Sequence, residues 1–128
     1  ETKKNRTGKI IMGVVEGDIH DIGKNLLRTM FEAAGWEIRD LGKDVKLVRF
    51  VEEQDNFRAD VIALSTLMTT SMLAMPKVIK MLKDRDPKVI VMVGGAPLSA
   101  EIAKQYGADG YADDAVGAVR EAERLIGL

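Results

Sequence analysis

The only histidine in the chain, His20, sits in Gly17-Asp18-Ile19-His20-Asp21-Ile22-Gly23, a turn-forming stretch that follows an apolar run. With no cysteine present, any metal must be held through nitrogen or oxygen, and one histidine cannot build a multi-histidine zinc site. Asp18 lies two residues earlier. It is close enough to accept the Nδ1 proton and leave Nε2 free for a metal, the arrangement in which metal-ligating histidines are usually held. Gly23 opens the next element without a side chain, so a bulky group can approach there. Taken alone, a loop histidine is more often a solvated or capping residue than a ligand.

Two further clusters could do chemistry. Ser65, Thr69, Thr70 and Ser71 carry hydroxyls after a second apolar run, and Gly94-Gly95 closes a third. The hydroxyls suit helix N-caps as well as ligand contacts, and the paired glycines suit a tight turn as well as a close backbone approach. Lys24 and Asn25 look like part of a phosphate loop, but the full GxxxxGK[ST] pattern is missing. Asp18, His20 and a serine suggest a hydrolase, but no G-x-S-x-G nucleophile elbow is present. Met68, Met72, Met75 and Met81 read as core filler.

Composition narrows the classes. At 128 residues, one domain with one core is expected. Hydrophobic residues at 46% and charged residues at 30% describe a soluble globular domain. Lys plus Arg number 19 against 20 Asp plus Glu, so no net field favours nucleic acid or an anionic membrane. No apolar run is long enough to span a membrane and the N-terminus is charged, which points to a cytoplasmic protein.

The elements that must position these residues alternate. Residues 1–9 read as a polar tail or linker, with the domain occupying 10–128. Ile10 to Val15 is expected as a buried strand, and a helix runs from Ile22, with Leu26, Leu27, Met30, Phe31 and Ala34 on one face, to a stop at Gly35. Trp36 to Leu41 alternates like an edge strand, and Val45 to Phe57 reads as a helix. Further strands are expected at Val61 to Leu64, Val89 to Val93 and Gly110 to Ala112. Helices are expected at Met72 to Lys83, Ser99 to Tyr106 and Ala115 to Ile126.

Five strands alternating with five helices imply an α/β domain with a doubly wound parallel sheet, because parallel neighbours need right-handed crossovers. Strands one, three and four are wholly apolar and therefore central, which fits the flavodoxin-like, Rossmann-like order 2-1-3-4-5. In that layout ligands sit at the carboxyl ends of strands one and three, where Glu16 to Ile22 and Ser65 to Ser71 fall. A receiver domain shares the topology but needs an aspartate where Ser65 stands. A flavin mononucleotide carrier needs a hydroxyl- and glycine-rich loop where this chain has acidic residues and a histidine.

Asp18-x-His20-x-x-Gly23, Ser65-x-Leu67 and Gly94-Gly95 together resemble the three-part signature of cobalamin (vitamin B12)-binding domains, in order and with similar spacing. The resemblance continues through Asp40-Leu41-Gly42 and Ala108-Asp109-Gly110-Tyr111 and covers nearly the whole chain. The wording DIHDIGKN looks like methionine synthase and the corrinoid proteins of methyltransferase systems, and Asp40 to Val45 leans toward the small corrinoid proteins.

The resemblance implies a base-off cobalamin, as methylcobalamin or another corrinoid, with His20 as lower ligand to cobalt and Asp18 orienting it. Ile19, Asp21, Ile22 and Gly23 would line the cofactor beside them. Ser71 matches a serine that extends the histidine–aspartate relay, and Ser65 one that meets the nucleotide tail in the crevice between strands one and three. Leu67 and Thr69 are further contacts, and Gly94 and Gly95 match glycines that pack against the tail. The implied role is a methyl carrier between a methyl-donor and a methyl-acceptor methyltransferase, with a reductive activase as a third partner and no catalytic residue of its own. Corrinoid proteins usually carry an N-terminal helical bundle over the upper cofactor face; residues 1–9 cannot supply it, so the chain reads as a cofactor domain without its cap.

Overall fold

The structure, a computed structural model, describes residues 8–128. The elements run β1 (Lys9–Val14), α1 (Ile22–Ala33), β2 (Glu37–Asp40), α2 (Leu47–Phe57), β3 (Val61–Ser65) and α3 (Thr69–Met72). They continue with α4 (Met75–Arg85), β4 (Ile90–Gly94), α5 (Ala100–Gln105), β5 (Gly110–Tyr111) and α6 (Ala115–Ile126). All strand pairs are parallel, in the order β2-β1-β3-β4-β5, which is the expected flavodoxin-like sheet.

The apolar character of β1, β3 and β4 follows from burial on both faces. Successive strand residues point to opposite sides, so Ile11, Ile62, Leu64, Val91 and Val93 join one core with α2 and α4. Ile10, Met12, Val61, Ala63 and Met92 join another with α1 and α6. At Gly13 a helix comes close to the sheet: a Cβ there would lie 2.9 Å from the Phe50 ring. Gly35 takes φ 86 just past α1, the left-handed stop expected of it.

Several boundaries differ from the sequence reading. Residues 1–7 of the expected tail lie outside the described residues, but Gly8 is buried and Lys9 already belongs to β1. Val45 is not helical; it makes an isolated parallel bridge to Val15, and α2 begins at Leu47. The single helix expected over Met72 to Lys83 is two helices, α3 and α4. Pro76 is the cause: it has no N–H for the carbonyl of Met72, and its ring crowds that carbonyl. The described residues therefore hold six helices, not five.

Candidate functional site

The loop after β1 is held by its own backbone and by the segment after β2. Asp18 N–H donates to the Val15 carbonyl at 3.1 Å, and Asp44 N–H to the Asp18 carbonyl at 2.9 Å. Gly17, at φ 95, donates its N–H to Asp44 Oδ1 at 2.8 Å. Asp44 itself sits in the left-handed region at φ 49, a conformation that aspartate tolerates better than most residues. This brace explains why the chain keeps a short irregular piece, Gly42 to Val45, against the loop rather than starting α2 earlier.

Within the loop Asp18 is completely buried. Its Oδ1 accepts from the His20 backbone N–H at 2.8 Å and from His20 Nδ1 at 2.6 Å. Its Oδ2 accepts from Thr66 Oγ1 at 2.7 Å and from Leu67 N–H at 2.7 Å. Burial alone would raise this carboxyl, but the hydrogen bonds from Thr66, from the His20 and Leu67 backbones and from the His20 ring outweigh it and hold it well below the usual carboxylate range. An ionised carboxylate only accepts, so Nδ1 is the nitrogen that donates to it, and in the neutral imidazole Nε2 then carries the lone pair. The His20 side chain is 54% exposed, so its outer nitrogen is open to a ligand.

Among the described residues no three His, Cys, Asp or Glu side chains converge on a metal position. His20 standing without such neighbours suits a metal that brings its other ligands with it, as the metal of a macrocycle does. Beside His20 a cavity of about 480 Å³ runs down between the α1/α6 layer and the sheet. Gly23, Ser65, Leu67, Gly94 and Gly95 line it together with Leu27, Phe31, Ala63, Met92 and Ala118. Nothing lies within 4 Å of a Cβ built on Gly23. A macrocyclic metal over His20 with an appended group in the cavity fits this arrangement.

Most residues expected at the site are brought together. Ile19 and Ile22 are exposed at 64% and 83% beside His20, an apolar rim on which a flat ring can lie. Asp21 is half-buried and precedes α1 as its N-cap residue without a side-chain cap bond. Ser65 stands at the carboxyl end of β3, its hydroxyl 3.5 Å from the Gly13 carbonyl. Thr69 is exposed at the start of α3.

Ser71 departs from expectation. It is buried and packs toward Gly17, where an added Cβ would meet its Oγ at 3.0 Å, but the hydroxyl that donates to Asp18 belongs to Thr66. Gly95, at φ 133, also lets the β4 loop pack against the end of β3, since a Cβ there would fall 1.7 Å from the Thr66 carbonyl oxygen. Sequence reasoning missed Thr66 and Asp44. The available signals were the hydroxyl next to Ser65 and an aspartate in the Gly-Lys-Asp turn after β2.

Lys24 is already engaged within the protein. Its ammonium is buried and committed to Asp40 at 2.7 Å and to Asn25 Oδ1 at 2.6 Å. No described helix is long and apolar enough to cross a membrane.

Residues 8–120 match the B12 binding domain family. Dimethylamine corrinoid protein 2 of Methanosarcina acetivorans is 48% identical over 128 residues, covering 98% of this chain and 58% of that protein. The monomethylamine corrinoid protein of Methanosarcina barkeri superposes with a TM-score of 0.87 at 38% identity, over 98% of this chain and 60% of that one. A chain of the methanol:cobalamin methyltransferase complex of Methanosarcina barkeri superposes with a TM-score of 0.88 at 30% identity, over 94% of this chain and 46% of that one. The chain thus spans little more than half the length of the curated relative. With the family matched across most of its length, around a histidine whose outer nitrogen is free, the chain belongs to the B12-binding domain family, and its cofactor is a corrinoid.

Proposed function

We propose that this domain holds a corrinoid base-off, with His20 Nε2 as the lower cobalt ligand and the displaced nucleotide tail in the cavity beside α1, and that it carries methyl groups between separate methyltransferases. The observation that carries the reading is the bond of 2.6 Å between His20 Nδ1 and the buried Asp18 carboxylate, which engages Nδ1 and leaves Nε2, on a side chain that is 54% exposed, as the ring nitrogen available to a metal. The corrinoid supplies a cobalt centre able to accept and surrender a methyl group. Asp18 keeps the imidazole in one tautomer and one orientation and balances positive charge on the ring. Ile19 and Ile22 offer apolar support beside it, and Gly23, Gly94 and Gly95 keep the tail's path clear of side chains. Asp18, His20 and Thr66 are engaged below the cofactor, so donor and acceptor chemistry falls to partner proteins. Relatives named for dimethylamine and monomethylamine put the methylamines first among donors to try.

Electron paramagnetic resonance of the Co(II) form tests the ligand. Wild type is expected to show nitrogen coupling from the imidazole, and His20→Ala to lose it while the tail retains part of the affinity. Coupling that survives unchanged in His20→Ala assigns the ligand elsewhere.

A further inference from the structure

We infer that the cavity beside α1 discriminates among corrinoids by the base on their nucleotide tail, favouring a benzimidazole over a purine. This rests on the reading that the tail enters that cavity, and it extends the reading from a binding place to a choice of ligand.

Hydrogen-bonding groups along the cavity thin out with depth. Away from the carboxyl edge of the sheet, two residues back from Ser65 and Gly94, the lining is Ala63 and Met92 with Leu27, Phe31 and Ala118 of the covering helices, none of which has a polar side chain. Their main-chain groups are occupied as well. Ala63 lies in register between Met12 and Met92, and Met92 between Ala63 and Gly110, so both strand backbones are flanked by ladders. Leu27 and Phe31 lie within α1 and Ala118 within α6, where helical bonds take the backbone groups.

Polar side chains along the cavity stand nearer its mouth, and most are committed. Lys24 is held by Asp40, and Thr66 by Asp18. Asp114 caps the Gly117 N–H at 2.7 Å, and the Tyr111 hydroxyl reaches the Leu98 carbonyl at 3.3 Å. Ser65 is loosely engaged, but it follows Ala63 by one step along the same face of β3, toward the carboxyl end.

A benzimidazole and a purine have the same fused-ring outline, so shape alone does not separate them. They differ in the six-membered ring, the end remote from the ribose. In a benzimidazole it is all carbon. In adenine it holds two ring nitrogens and an exocyclic amine, which at this depth would lose water without gaining partners.

The test titrates the apo domain with three corrinoids: one with a dimethylbenzimidazole tail, one with an adenine tail, and cobinamide, which has no nucleotide. Quenching of the single tryptophan, Trp36, packed edge-on against Phe31 with ring centroids 5.0 Å apart, follows binding. Each affinity is corrected for the base-on equilibrium of the free corrinoid, read from its own pH titration. The adenine form is expected to bind at least about tenfold more weakly than the benzimidazole form. Ala63→Ser, which puts a hydroxyl on the deep wall, should narrow that ratio, and Ala118→Ser replaces it if the strand variant fails to fold. Equal corrected affinities for the two bases, both above cobinamide, overturn the selectivity and leave the tail reading standing. Equal affinities for all three overturn both.

Discussion

Thr66 Oγ1 donates to Asp18 Oδ2 at 2.7 Å, so the residue just past β3 holds the carboxylate that in turn holds His20 on the β1 loop. The bond divides the carboxylate's work between its oxygens. Oδ1 serves the histidine alone, and Oδ2 ties the loop to the end of β3 through Thr66 and the Leu67 N–H.

Thr66→Val keeps the side-chain shape and removes that donor. Oδ2 then retains only the Leu67 N–H, and a buried acceptor that loses a partner costs about 1 to 3 kcal/mol. The loaded Thr66→Val protein is expected to show a smaller fraction of histidine-on cobalt by absorption and by nitrogen coupling, and Thr66→Ser is expected to restore it. Ser71→Ala, which removes no bond to Asp18, is expected to change the fraction less. A reversed order would return the relay to Ser71.

Gly95→Ala strikes the same arrangement from behind. An added Cβ would lie 1.7 Å from the Thr66 carbonyl oxygen, and the backbone there has φ 133, which L side chains rarely adopt. Clash and backbone strain together are expected to lower unfolding stability by about 2 kcal/mol or more. Denaturant unfolding of the apo protein measures this, and a midpoint like that of wild type would show that the β3 and β4 loops separate freely.

The fold was legible because its core strands report burial directly. Runs such as Val61-Ile62-Ala63-Leu64 have no polar face to turn outward, so helices must cover both sides and the strands must be central. His20 and Asp18 were legible for a local reason, since two residues of spacing suffice for the bond of 2.6 Å. Thr66 was not, because its partner is 48 residues away and only strand register brings them together. The break between α3 and α4 was visible as Pro76, but the apolar periodicity of Val78, Ile79 and Leu82 continues from Met75 and disguises it. Residues 43–45 were hidden by the opposite problem: their irregular backbone serves the neighbouring loop, and nothing in their own periodicity says so.

Gly23→Ala separates fold from binding. A Cβ at this position meets nothing within 4 Å, and alanine favours a helix more than glycine does. The apo variant is therefore expected to melt at or slightly above the wild-type temperature. Gly23 lines the cavity, and an added methyl group takes up open space beside it, so corrinoid affinity is expected to fall. Thermal unfolding and a binding titration on one sample check both halves. Unchanged affinity would remove Gly23 from the path of the cofactor.

The Asp18 carboxylate gives the apo domain an acid-sensitive component of stability whose sign is determined by the site. Burial pushes its pKa up, but the bonds from Thr66, His20 and Leu67 push it down further, so the folded value lies below the ordinary aspartate value of about 3.9. A depressed folded value means that the unfolded chain takes up the proton first. The contribution is thus fully present above about pH 4 and is lost as pH falls from there toward the folded value. Asp18→Asn has no such titration and offers one oxygen where the site uses two. The stability difference between wild type and Asp18→Asn is expected to shrink as the pH drops below about 4. Urea unfolding of both apo proteins across that range measures the difference. A gap that stays constant through the acid range would mean that the carboxylate is not selectively stabilised in the fold, and the tautomer assigned to His20 would lose its support.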